Sequence, residues 1–373
     1  MKATYGSISL VDPEVLPGPH LLVRCRVEGS SASPASLIIK QVTTKEFTSS
    51  GPGGASHRLL NEWATLQFLN GQSLGGPWPQ LLGGSSEGSF VLLEDLGNHP
   101  TVLDVLMTGR HHDATLSLQA LGSSLGEMHA AAHSSVDRFR ETKARMNVAS
   151  PRSDSNYNVA DSKFTFEQSF AELAITPHRE FWTDVTDLEA SIHTPGPLHT
   201  VIHADAGPQN FLWTGRTAIL VDYEFAVVGH SLLDVVSARL GFPHSAQAHL
   251  LSDDLVDALE NTYRAAAASA VPELEEDSTF CRHVIDACAH WALSRWAGLW
   301  RRLFSSNDPS GSRDSDHRMQ SQAFTVYRRF IATATNANHR TPIVSTTDSF
   351  TKALERANPT LTETTLYPAV RAN

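Results

Sequence analysis

Little in this chain could cross-link it or hold it in a membrane. Its only cysteines, Cys25, Cys281 and Cys288, cannot build a disulfide framework across 373 residues, which points to a reducing compartment. No run approaches the ~18 uninterrupted apolar residues of a membrane-spanning helix. Residues 1–10 carry one lysine and no apolar core, so no secretory leader is expected there. The expected setting is cytoplasmic, with no membrane partner. Positive charge is also scarce: 29 Lys and Arg against 40 Asp and Glu give a net charge of -11. A phosphate backbone is repelled by such a chain at long range, so no nucleic-acid partner is expected. There is no internal repeat, and without a Gly-x-Ser-x-Gly elbow a serine hydrolase lacks its nucleophile. Oligomeric state leaves no mark in the composition.

The remaining composition is that of an ordinary globular protein, with 41% hydrophobic and 18% charged residues. At about 150 residues per domain, the length suits two or three domains, or two lobes sharing one function. Residues 21–27 (LLVRCRV) and 37–42 (LIIKQV) are short β-rich runs separated by turn chemistry, which predicts an antiparallel hairpin. A Gly/Pro/Ser break at 49–54 precedes a helix predicted over 57–69, and 90–93 (FVLL) reads as a buried strand. Beyond Gly97 the chain turns helical, with a long helix over 115–133 and His111-His112 in a loop before it. Strands return over 201–222, and helices dominate from Ser231. Residues 305–316 read as a low-complexity loop and the last ~25 as a loosely held tail. The boundary falls near residue 95: 1–95 form a small β-rich lobe with one key helix, and 96–373 a larger, mainly helical lobe.

The densest chemistry lies between residues 201 and 222. An apolar strand ends in His203 and Asp205; Gly207-Pro208 turns the chain; Asn210 precedes a second apolar run; a third run, 218–221, stops at Asp222. Two carboxylates and one amide are the hard oxygen donors that Mg2+ prefers. An Asp at such a site can also take a proton from an attacking hydroxyl. Single aspartates at strand ends usually just form turns, but His-x-Asp-x₄-Asn followed by Asp-x-Glu is a much rarer combination. Two further charges stand in apolar surroundings. Alternation puts Lys40 on the face of Ile38 and Val42. In the helix over 57–69, Glu62 falls inside the stripe of Leu59, Trp63, Leu66 and Leu69. Each is costly to bury alone, so each is the natural partner of the other.

Other clusters carry weaker signals. In Cys281-x-His283-x₄-Cys288-x-His290 the two cysteines share one helix face and the histidines lie about 200° away, so one zinc ion cannot reach all four. His129 and His133 stand one helical turn apart, with no third metal ligand suggested, and read as a packed or solvated pair. The Trp-rich stretch 291–304 reads as core, with the stems of Arg295, Arg301 and Arg302 lying along it. Its alternative is one wall of an acceptor pocket, where those arginines would meet an anionic group. The acidic run 273–277 reads as a solvated loop.

Taken in order, Lys40, Glu62, Leu92-Leu93-Glu94-Asp95-Leu96-Gly97, His203-x-Asp205-x₄-Asn210 and Asp222-Tyr223-Glu224 resemble the motifs of the aminoglycoside phosphotransferase/choline kinase family. The stretch from Asp222 to Asp234 and the segment Leu121-Gly122-x₃-Gly126-x-Met128-His129-Ala130 are similar to that family too, so the resemblance covers roughly residues 20–300. It implies an α+β, bilobal protein-kinase-like fold and ATP-dependent transfer of the γ-phosphoryl group to a hydroxyl of a small molecule. An aminoglycoside-like antibiotic, a sugar and an amino alcohol are the acceptor classes it suggests. It also implies that Lys40, held by Glu62, steadies the α- and β-phosphates, that Asp205 orients and deprotonates the acceptor, and that Asn210 and Asp222 hold Mg2+. The backbone of Glu94 and Leu96 would meet the adenine edge. Charge compensation and positioning then supply the catalysis.

The chain departs from the pattern in two places. Pro17-Gly18-Pro19-His20 stands where a Gly-rich loop is expected, and Ala204 where many relatives have Gly. Asp222-Tyr-Glu in place of Asp-Phe-Gly, with no Ala-Pro-Glu, argues against a protein kinase. The missing loop motivates one rival, an ATP-binding pseudoenzyme or regulatory module of the same fold. A metal-dependent phosphohydrolase using His203, Asp205 and Asp222 is a second, although it has no need of Lys40 paired with Glu62.

Overall fold

The computed structural model describes residues 8–17, 21–29, 33–42, 54–72, 75–148, 159–245, 247–304, 313–335 and 337–371. Its first part is a five-stranded antiparallel sheet of order β1-β2-β3-β5-β4. The strands are β1 (Ser9–Leu16), β2 (Leu21–Glu28), β3 (Ser36–Gln41), β4 (Leu81–Ser85) and β5 (Phe90–Glu94). The hairpin expected from the two β-rich runs is β2 and β3, with Leu22 opposite Lys40 and Cys25 opposite Leu37. Strands β1 and β4 were not expected. The first is mostly solvent-exposed and so shows no apolar alternation, and the second is two leucines followed by Gly83-Gly84. Helix α1 (Ala55–Asn70) crosses the sheet and buries Leu59, Leu66 and Leu69.

The remainder is mainly helical, with two small antiparallel sheets of two strands each. Helices α2 (Val102–Thr108) and α3 (His111–His133) follow the sheet, then α4 (Val136–Arg145), α5 (Lys163–Glu172) and α6 (Phe181–His193). One sheet pairs β6 (His199–Ile202) with β9 (Val227–His230), and the other is the hairpin of β7 (Phe211–Trp213) and β8 (Ala218–Leu220) that lies between them in the chain. Then come α7 (Leu232–Arg239), α8 (Asp253–Ala267), the long α9 (Asp277–Phe304), α10 (Arg313–Ala334), α11 (Thr341–Ala357) and the short α12 (Pro368–Arg371). Among the described residues no helix is long and apolar enough to cross a membrane.

Two glycines explain how closely α3 meets α8. A Cβ on Gly122 would lie 2.2 Å from the Leu259 carbonyl oxygen, and one on Gly126 would lie 2.7 Å from that of Tyr263. Backbone against side chain at this distance leaves room for hydrogen alone. On α9, Trp296 is fully buried and stacks on Phe350 of α11 at 3.5 Å, so the Trp-rich stretch is core at this position, while the side chains of Trp300, Arg301 and Arg302 lie outside the described residues. A buried ionic cluster ties three helices: Arg340 pairs with Asp184 of α6 at 2.9 Å and with Asp286 of α9 at 2.8 Å.

Three expectations are corrected. His111-His112 opens α3 rather than lying in a loop, because Arg110 ends the preceding turn in extended geometry. Arg313 to Asp316 belong to α10; the rest of that expected low-complexity loop, 305–312, lies outside the described residues. The last residues are packed, not loose: Leu361, Tyr367 and Val370 are buried, and Leu250 exchanges backbone hydrogen bonds with Thr365 and Tyr367.

Candidate active site

Lys40 sits on the inner face of β3, and Glu62 faces it from α1. The ammonium Nζ lies 2.6 Å from Glu62 Oε2 and 2.5 Å from Asp222 Oδ1, which comes from the far side of the cleft. Lys40 and Glu62 are 6% and 2% exposed, so their charges survive only through each other. Burial would lower the Lys40 pKa, but the two carboxylates outweigh it and raise it above the usual lysine range. Burial pushes the Glu62 carboxyl up, and the Lys40 ammonium draws it only partly back. A residue missing from the sequence-based set fixes α1 in place. Fully buried Asn61 donates from Nδ2 to the carbonyls of Glu224 and Ala226, at 3.0 and 2.9 Å. Its one signal in the sequence is an amide beside Glu62 on the inward face of an amphipathic helix.

Asp205 and Asn210 lie on the loop that joins β6 to β7. Asn210 Nδ2 donates to the Asp205 backbone oxygen at 2.9 Å and to its carboxylate Oδ2 at 3.0 Å. Burial pushes the Asp205 carboxyl up, as do Asp222 and Glu224, while His203 and Asn210 pull it down; it comes to about 6. The loop is held from beneath. Asp234 of α7 accepts the backbone N–H groups of His203 and Ala204, at 2.7 and 2.9 Å, and His129 Nε2 of α3 lies 3.2 Å from the same carboxylate. His203 Nε2 donates to the Val221 carbonyl at 2.9 Å, which ties the Asp205 loop to the residue before Asp222. His129 is therefore a buried partner of Asp234, and Tyr263 OH lies 3.1 Å from its Nδ1. Ala204 and Asp222 both adopt left-handed backbone, at φ 62 and 67. For L-residues this costs about 1–2 kcal/mol each, and such strain gathers at functional sites. It also gives a physical reason for a glycine at position 204.

Lys40, Glu62, Asn210 and Asp222 all line one cleft of about 640 Å³ between the sheet and the helical part. Apolar Leu22, Ile38, Leu93 and Leu212 line it too, as does the connecting segment 94–101, which includes Glu94 and Leu96. That segment is fastened to the sheet. Glu94 N donates to the Gln80 carbonyl at 2.9 Å, and Arg24 of β2 pairs with Asp95 at 2.9 Å and reaches Asn98 Oδ1 at 2.7 Å. Pro17 lines the cleft, while Gly18, Pro19 and His20 lie outside the described residues. The volume suits a nucleotide-sized ligand, and the lining combines apolar side chains with a paired lysine and hard oxygen donors.

The model of the phosphotransferase enzyme family (APH) matches residues 39–268, and the fold is the α+β, protein-kinase-like one expected of it. The chain belongs to that family, and it is a small-molecule kinase. No curated protein matches it. Among solved structures it is similar to macrolide 2'-phosphotransferase MphH from Brachybacterium faecium, with 13% identity, a TM-score of 0.44, and 85% of this chain and 92% of that one covered. It is similar to a choline/ethanolamine kinase family protein from Mesorhizobium loti, with 13% identity, a TM-score of 0.47, and 90% and 92% covered. It is also similar to choline kinase LicA from Streptococcus pneumoniae, with 11% identity, a TM-score of 0.44, and 85% and 93% covered.

Proposed function

We propose that the protein transfers the γ-phosphoryl group of ATP to a hydroxyl of a small molecule, an aminoglycoside-like antibiotic, a sugar or an amino alcohol. The observation that carries this reading is the lysine held between carboxylates from the two sides of one cleft. In it, residues 1–95 clamp the nucleotide and 96–373 supply the catalytic loop and the acceptor site. The adenine edge meets the backbone of Glu94 and Leu96. Lys40, kept charged and aimed by Glu62, binds the α- and β-phosphate oxygens in place of its contact with Asp222.

Asp205 orients the acceptor hydroxyl and takes its proton as the oxygen attacks the γ-phosphorus; the bond to the β–γ bridging oxygen breaks and ADP leaves. A carboxyl near 6 is ionised at neutral pH yet basic enough for this task. Asn210 and Asp222 would hold Mg2+. The donor set suits it: Asn210 spends its NH2 on Asp205, which leaves the amide oxygen for a cation, and the Asp222 carboxylate is a second hard donor. Bound there, Mg2+ would offset charge on the phosphates.

The test is an ATP-consumption screen across aminoglycosides, sugars and amino alcohols, with mass spectrometry of products and Asp205→Asn as control. A product heavier by one phosphoryl group, absent with the variant, is expected. ATP binding with no acceptor-stimulated turnover in any class would instead favour the regulatory, catalytically silent reading.

A further inference from the structure

Away from the cleft, Glu189 and His193 stand one helical turn apart at the end of α6, and His290 faces them from α9. Among the described residues, these three are the group of Glu, Asp, His or Cys donors drawn together closely enough to share one ion: their donor atoms all lie within 4.8 Å of one another. None of the three lines the cleft. His193 Nε2 is 3.2 Å from Glu189 Oε2, and His290 Nδ1 is 3.4 Å from Glu189 Oε1.

Those spacings are long for a carboxylate–imidazolium hydrogen bond, which closes to about 2.7–2.9 Å. They end on different oxygens of Glu189, so the carboxylate lies between the two imidazoles, and a cation drawing one donor of each residue to about 2.0–2.2 Å would close the set to edges of roughly 3.4 Å. Glu189 Oε1 and His290 Nδ1 are moreover fully buried yet make no hydrogen bond of acceptable geometry. Such orphaned polar atoms are costly unless something satisfies them.

The surroundings are already organised for a ligand set. Val159 N donates to Glu189 Oε2 at 3.3 Å, which orients the carboxylate. Ser191 of α6 donates to Asp286 of α9 at 2.6 Å, so the two helices are in register before any ion arrives. His193 is about a quarter exposed, at 26% of its side chain, so an ion can reach the group from solvent.

We infer that Glu189, His193 and His290 form a zinc site that fastens α6 to α9 in the helical lobe, separate from the phosphoryl-transfer centre. Two imidazoles and one carboxylate are borderline nitrogen and hard oxygen donors, the combination zinc accepts with one position left open. Phosphoryl transfer needs nothing from this ion; its effect is on stability.

The experiment uses the full chain. Purified protein is loaded with Zn2+, desalted and assayed for metal by mass spectrometry. Parallel samples with Co2+ are read for the intense visible absorption of tetrahedral coordination. His193→Ala removes the more exposed ligand, His290→Gln keeps the volume of a buried one, and Asp222→Ala disables the cleft instead; circular dichroism checks that each is folded. About one zinc per chain is expected in the wild type and in Asp222→Ala, and loss of the zinc and of the cobalt band in His193→Ala and His290→Gln. Zn2+ should raise the melting temperature of the wild type and leave that of His193→Ala unmoved. A wild type that retains no zinc, or zinc kept by His193→Ala and lost by Asp222→Ala, overturns the assignment.

Discussion

Asp234 never enters the cleft, yet the geometry of the Asp205 loop depends on it. It is 3% exposed and takes three contacts: the His203 and Ala204 amides at 2.7 and 2.9 Å, and His129 Nε2 at 3.2 Å. Asp234→Ala strands all three donors in the interior, at about 1–3 kcal/mol each. The donors neighbour one another, so their costs do not add fully. A net loss of about 3–6 kcal/mol is expected, a large part of the ~5–15 kcal/mol that holds a typical domain together. Asp234→Asn keeps the shape and one acceptor oxygen but turns an NH2 toward a donor, and should cost about 2–3 kcal/mol. Urea unfolding followed by tryptophan fluorescence measures both. The Asn variant adds a kinetic readout. Ala204 sits in left-handed backbone, which costs free energy, and Asp234 is what grips its amide. A loosened loop should therefore lower turnover and leave ATP affinity alone. An Asn variant within ~0.5 kcal/mol of the wild type, or one whose ATP affinity falls while turnover holds, would refute the reasoning.

Two more outcomes follow from the same coordinates. Asp205 titrates at about 6 and accepts a proton only when ionised, so at saturating ATP acceptor turnover should rise with pH through that value and level off above it. Asp205→Asn should erase that limb and lower turnover by about 10²–10⁴-fold; a rate flat from acid to neutral pH would exclude Asp205 as the base. Gly122→Ala places a methyl 2.2 Å from the Leu259 carbonyl, so α3 and α8 must part, costing about 1–3 kcal/mol or more in urea unfolding. Wild-type stability in that variant would show that the two helices have slack.

What could be read in the chain beforehand depended on whether a residue broke a local pattern. Lys40 and Glu62 stood out because each interrupts an apolar face, and electrostatics permits such charges inside only as partners. The two carboxylates and the amide around residues 205–222 stood out because they cap strands in quick succession. Asn61 broke nothing, since one amide on a helix is unremarkable until the carbonyls it serves, 163 and 165 residues away, are in place. Gly122, Gly126, His129 and Asp234 fell within recognisable motifs, but their work, close helix contact and support of a loop, exists only between elements. His290 was weighed against Cys281, His283 and Cys288, its neighbours in sequence. Its structural neighbours, Glu189 and His193, belong to another helix, and no spacing rule links them. Strand β1 and the packed C-terminal segment escaped because neither carries a period: one is too exposed, the other too irregular.

That C-terminal segment bears on how the cleft is held. Tyr367 and Val370 are buried, and α12 packs against α2, the helix whose cap, Thr101, lines the cleft. The support of α2 comes from far along the chain: α12 begins about 260 positions after α2 ends. Contacts so distant in sequence close a long loop at a cost in chain entropy, so this one is worth little until the elements between are in place. The segment that lines the cleft is thus steadied by one of the most non-local contacts in the described residues.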